Sequence, residues 1–136
     1  MSIVLIIALL IVVSVLNMRA EKNAKAKKVA TTFANREALS IEEFYQRYFN
    51  ANDIPYFVVE RVIKILAEYL DTDMSYLRAE DDFSENLNFF WDYDSMANVE
   101  IICALEKEFN IKILDKEAEE TKTVNDIINL IVRKIS

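Results

Sequence analysis

Apolar and polar positions follow three different regimes along this chain. From Ser2 to Met18 there is no alternation: 17 residues dominated by Ile, Val, Leu and Ala carry no charged side chain. A run of that length is close to the minimum for one membrane-spanning helix. It is apolar on every face, which suits lipid better than a protein core. Residues 19–39 are polar, rich in Ala and Lys and free of Pro and Gly. They are good helix formers and predict a basic connector that continues the anchor helix into water. From residue 40 onward the pattern becomes periodic.

Ser40 with Glu43 three residues on is a capping box and predicts a short helix through Phe49. Phe44, Tyr45, Tyr48 and Phe49 give it a broad aromatic face that must pack on the domain after it. Asn52-Asp53-Ile54-Pro55 breaks the chain and restarts it. Val58, Val62, Ile65, Leu66 and Tyr69 then recur at helical spacing, so Pro55–Leu70 reads as the first long core helix. Asp71–Asp94 lacks periodicity and reads as a long loop, with Leu77, Phe83 and Leu87 spaced to anchor it. Its Asn88-Phe89-Phe90-Trp91 cluster has two readings: a hydrophobic plug for a small core, or a surface that meets a partner or lines a pocket.

Ser95 is expected to open the next helix. Val99, Ile102, Cys103, Glu106 and Phe109 mark its face, which would make Cys103 a small core residue. Lys116–Glu120 suits a helical turn. Thr123 with Asp126 is a second capping box, and Val124, Ile127, Ile128, Ile131 and Ile135 line the last helix. The expected fold is all-α: a four-helix bundle, preceded by an extra short helix and a transmembrane helix. The expected division is a transmembrane anchor over residues 1–18, the connector over 19–39 and a helical domain over 40–136 with its core in 54–136.

Charge sharpens this division. Residues 1–50 hold 7 basic and 4 acidic side chains, whereas residues 51–136 hold 9 basic and 19 acidic. An acidic folded part argues against nucleic acid as a partner and favours partners with Lys and Arg patches. Arg19, Lys22, Lys25, Lys27 and Lys28 come after the apolar run, opposed only by Glu21. The positive-inside rule puts that end in the cytoplasm and the N-terminus outside, as a single-pass membrane protein. The same cations suit anionic lipid headgroups, at about 1 kcal/mol each near the surface. A cleaved signal peptide, the main rival, would want basic residues before the apolar core.

Missing residue types also limit the chemistry. The chain has no histidine and no glycine, which removes Ser-His-Asp and Cys-His mechanisms and every Gly-rich phosphate loop. One cysteine, Cys103, allows no intramolecular disulfide. The acids of Asp71–Asp82 lack EF-hand spacing and its central glycine, so no metal site is expected. An enzyme would need an unusual Ser-Lys or carboxylate site, and the reading is that the chain is not one.

Residues 92–135, DYDSMANVEIICALEKEFNIKILDKEAEETKTVNDIINLIVRKI, resemble the second half of an acyl carrier protein. The triplet Asp94-Ser95-Met96 stands for the family's Asp-Ser-Leu. Leu105-Glu106-Lys107-Glu108-Phe109, Ile111-Lys112-Ile113, the acidic Glu117–Glu120 turn and Thr123-Val124 come next without a gap. Val58–Leu87 matches the family's first helix and loop more loosely, through Glu60-Arg61-Val62 and Phe83-Ser84-Glu85-Asn86-Leu87. The chain departs from the pattern in four places. Asp92 stands where the family usually has glycine, Ala97 where an acid is usual and Met96 where leucine is. The stretch Asn88–Trp91 looks like an extension.

The resemblance implies a covalent 4′-phosphopantetheine on Ser95, flanked by Asp94 and Met96 and installed by a phosphopantetheinyl transferase. It implies Glu100, Glu106 and Glu108 as an acidic helix on which acyl-transferring enzymes with basic patches dock. The whole would be a membrane-tethered carrier of acyl thioesters for a lipid or acyl-transfer pathway. The alternative is an unmodified carrier-like docking module that binds a membrane protein through its acidic helix and aromatic loop.

Overall fold

The computed structural model describes residues 2–136 and divides into two compact units, 1–34 and 35–136. The first contains one helix, α1 (Ile3–Thr32), 30 residues long and unbroken. Ser2 caps it, its side chain accepting the Val4 N–H at 3.1 Å. The apolar run and the basic connector are thus one continuous helix. Its most apolar 18-residue window has a mean hydropathy of 2.6, with none of it buried. By length and composition α1 can cross a membrane.

The second unit holds six helices: α2 (Ile41–Tyr48), α3 (Tyr56–Leu70), α4 (Phe90–Tyr93), α5 (Ala97–Phe109), α6 (Asp115–Glu120) and α7 (Val124–Ile135). Among the described residues it has no strand, only an isolated antiparallel bridge between Asp82 and Thr123. Central to it is α3, which packs against α5, α7 and α2. Its buried stripe of Val58, Val62, Ile65 and Leu66 keeps the helical spacing that sequence predicts. On α7 the matching stripe is Val124, Ile127, Ile128 and Ile131.

Both capping boxes form. The Ser40 hydroxyl accepts the Glu43 N–H at 3.1 Å and Glu43 returns the bond to the Ser40 N–H at 3.1 Å. That backbone hydrogen bond, with the one from the Ser40 side chain, holds the Glu43 carboxyl below the usual glutamate range. Thr123 and Asp126 do the same at α7, at 3.0 and 3.1 Å. Without glycine, the chain ends α3 and α5 with Asp71 (φ 48°) and Asn110 (φ 52°) in the left-handed region. Asp and Asn are the residues that tolerate it best after glycine.

The α3–α5 loop is far from unstructured. Leu77 and Leu87 are fully buried and Phe83 is also buried, as their spacing predicts. Asp81, 2% exposed, is the loop's electrostatic hub. Its carboxylate takes a bidentate pair of bonds from Arg36 at 2.7 and 2.9 Å, the Arg78 N–H at 2.8 Å and the Asn86 amide at 2.9 Å. A buried charge persists only when satisfied this fully. The aromatic cluster divides: Phe89 and Phe90 are buried plugs, stacked at 4.4 Å, while Trp91 is half-buried.

One helix face departs from the sequence expectation. The buried residues of α5 are Ala97, Ile101 and Leu105, whereas Val99 and Cys103 are exposed. Cys103 is therefore not a core residue. The apolar positions of α5 cover more than one face, so spacing alone admits two registers.

Candidate functional site

The turn between α4 and α5 carries the candidate serine. Phe90, 2% exposed, roots α4 in the core. The Asp94 N–H donates to the Phe90 carbonyl at 3.2 Å, and the Asp94 carbonyl accepts the Ala97 N–H at 3.2 Å. The Asp94 carboxylate accepts the Met96 N–H at 3.1 Å, an Asx-turn that fixes the backbone across Ser95. Asp94 is thus a shaping residue for the turn as well as a charge beside the serine.

Ser95 does not cap α5, contrary to the sequence expectation that it opens this helix. Met96 occupies the cap position and the helix begins at Ala97. Ser95 sits in the turn just before, exposed, its hydroxyl without a hydrogen-bond partner among the described residues. No side chain caps α5; the Asx-turn engages only the Met96 N–H and leaves the Ser95 hydroxyl unengaged. Met96 beside it is 56% exposed.

Such a position fits a phosphodiester-linked group. The hydroxyl projects to solvent, so a bulky substituent meets no core side chain. The 13-residue α5 starts two residues on, and its positive end favours a phosphate. Ala97, buried at 1%, adds no bulk at the helix start.

The three acids of the expected docking helix have different surroundings. Glu100 is exposed in the first turn of α5. Glu106 is half-buried, and its carboxylate accepts the Ile113 N–H at 3.0 Å, which pins the α5–α6 connector. Glu108 faces Arg61 of α3 across 3.3 Å, with both side chains about half exposed. Such a pair contributes at most about 1 kcal/mol. Of the expected site acids, Asp94, adjacent in the chain, and Glu100, in the first turn of α5, lie nearest Ser95 in sequence.

A cavity of about 360 Å³ opens within the same unit. Leu66 of α3, Ile101 and Leu105 of α5, and Ile127 and Leu130 of α7 supply apolar walls, and Phe83 and Trp91 close another side. Ser84, Asn98, Glu119, Thr121 and Lys122 are its polar members. Sequence reasoning leaves Trp91 undecided between plug and pocket wall, because a four-residue helix such as α4 is too short to show a period. It also misses the Asx role of Asp94, although an Asp or Asn in a turn commonly bonds the backbone two residues on.

The phosphopantetheine attachment site family model matches residues 60–131. Among similar proteins is the acyl carrier protein of Thermosynechococcus vestitus, 40% identical over 79 residues, covering 58% of this chain and 93% of the relative. Those of Caulobacter vibrioides (strain NA1000 / CB15N) and Clostridium acetobutylicum are each 39% identical. They match over 77 and 74 residues, covering 57% and 54% of this chain and 94% and 91% of the relatives.

The chain belongs to the phosphopantetheine-attachment family of acyl carrier proteins. It is a carrier rather than an enzyme, and its prosthetic group is a covalent 4′-phosphopantetheine. Helices α1 and α2 lie outside the matched residues.

Proposed function

We propose that this chain is a membrane-tethered acyl carrier, modified at Ser95. The observation that carries the reading is the free, exposed Ser95 hydroxyl in an Asp-shaped turn at the positive end of α5. When attached, the arm supplies a thiol that holds an acyl group as a thioester. Ser95 offers the attachment oxygen, Asp94 holds the turn, and the α5 N-terminus favours the phosphate. Met96 leaves an apolar contact beside the serine for an incoming phosphopantetheinyl transferase. Glu100, with Glu106 and Glu108 further along, gives acyl-transferring enzymes a negative helix to meet with basic patches.

Helix α1 is the tether. Its apolar half spans the bilayer, and Arg19 to Lys28 hold the next unit on the cytoplasmic side. Tethering raises the carrier's effective concentration at membrane enzymes, to the order of millimolar for short linkers. Lipid assembly or another acyl-transfer pathway at the inner leaflet is the client. The runner-up reading is an unmodified docking module, which the ordered aromatic extension beside the serine favours.

Incubating the full chain with coenzyme A, Mg²⁺ and a phosphopantetheinyl transferase tests the attachment. The expected product gains one arm, and the Ser95→Ala variant gains none. A wild-type chain that stays unmodified while a control carrier is converted supports the docking module. Resistance of the protein to alkaline extraction from membranes tests the tether; release into the supernatant contradicts it.

A further inference from the structure

We propose that Trp91 sets which acyl chains this carrier shelters, admitting chains of medium length and turning away longer ones; this rests on the reading that Ser95 bears the acyl-carrying arm. Trp91 ends the extension Asn88–Trp91 and stands four residues before that serine. Two interactions hold its ring. The indole N–H donates to the Phe83 carbonyl at 3.0 Å, and the ring packs on Phe83 with centroids 5.6 Å apart and planes tilted by 36°. Both aromatic residues line the 360 Å³ cavity. Trp91 is half-buried, while its neighbours Phe89 and Phe90 are wholly committed to the core. Of the three aromatics in the extension, it alone lines the hollow.

The latch makes the wall specific. An indole fixed at its N–H and across its face cannot swing aside without giving up the hydrogen bond and the ring packing. An apolar cavity of about 150 Å³ accepts benzene. By that measure the present one has room for on the order of a dozen carbons. A saturated chain up to that size lies among Leu66, Ile101, Leu105 and Leu130 with the latch closed. A longer chain has to displace Trp91 or leave its end in water.

Trp91 is the chain's one tryptophan, so its fluorescence reads the wall directly. The full chain, in lipid nanodiscs so that no detergent alkyl chain competes, is loaded with butanoyl, octanoyl, dodecanoyl or hexadecanoyl groups. One set is loaded by a transferase from the acyl-coenzyme A and checked by intact mass. A second set is built without any transferase: in S95C, with C103S to remove the native thiol, the new thiolate attacks the symmetric disulfides of the N-acyl cysteamines, forming the mixed disulfide and releasing one N-acyl cysteamine thiol. Acrylamide quenching and Tm are read on both sets.

The expected result is reduced quenching and a raised Tm through the medium lengths, with both gains lost at hexadecanoyl. W91A extends the Tm gain to hexadecanoyl. W91F, which keeps a smaller ring without the N–H, moves the limit part of the way and covers the case in which W91A does not fold. Quenching that ignores chain length, or a length limit that neither variant moves, overturns the proposal. If the transferase set stays unmodified while the disulfide set responds as expected, the attachment reading fails and the role of Trp91 stands.

Discussion

Helices α1 and α7 are both rich in Ile, Val and Leu, yet one has no buried residue and the other has five. The difference is pattern rather than amount. In α7 the apolar residues recur along one face and leave Asn125, Asn129 and Arg133 outward, so the helix draws its stability from packing on α3. In α1 the apolar half has no polar face at all and closes with five cations. A helix apolar all round has no orientation that satisfies water and protein together, and lipid is the solvent that suits it. Composition describes both helices alike, while periodicity tells them apart.

The comparison breaks most sharply in the core. Ile128→Ala on α7, at a fully buried position, is expected to destabilise the carrier unit by about 2–5 kcal/mol, read by urea denaturation. Truncating an α1 residue equally, Leu9→Ala, should leave that transition unmoved. An equal loss at both sites would erase the distinction.

Asp81 comes next, because it joins parts of the carrier unit that pattern does not join. Asp81→Ala removes the buried carboxylate that Arg36, the Arg78 N–H and the Asn86 amide share and is expected to cost about 3–5 kcal/mol. A loss below about 1 kcal/mol would show that the pair acts as an ordinary surface bridge. The mirror experiment on α1 is a charge. Leu9→Lys puts an ammonium near the middle of the apolar run, a penalty of about 2.5–3.5 kcal/mol for insertion. It should move protein from the membrane fraction to the soluble one while the Tm of the carrier unit stays put.

Smaller effects refine the picture. Ser40→Ala removes one half of a capping box and should cost about 1 kcal/mol. Acid should weaken the carrier unit further. Glu43 is lowered by its bonds to Ser40, Asp82 first by the Ser84 hydroxyl, and Glu117 first by Lys134. Groups whose folded pKa lies below the unfolded value stabilise at pH above about 4, the ordinary carboxylate range, and lose that contribution as pH falls through the folded value. The denaturation midpoint should therefore drop on acidification below that range, and less so in a Glu43→Gln, Glu117→Gln double variant.

Much of this is legible in the sequence because it is local. The Ser40 and Thr123 capping boxes announce α2 and α7 within a residue of where they start. Leu77, Phe83 and Leu87 are anchors in a loop that has no period. The triplet Asp94-Ser95-Met96 marks the turn that matters. The hidden features depend on tertiary context. The buried face of α5 is chosen by α3, and Val99 and Cys103 look as eligible as Ile101 until that neighbour is present. Glu106 reads as surface charge until the Ile113 N–H folds back onto it. Arg36 and Asp81 are 45 residues apart, and nothing in either neighbourhood points to the other.

The central claim is that Ser95 carries the prosthetic group, and intact mass of the protein purified from its native cells tests it most directly. The account predicts a mass increase of one phosphopantetheine, with or without a further acyl group, and its complete loss in Ser95→Ala. An unmodified mass in growing cells, or a modification that persists in the alanine variant, would contradict it.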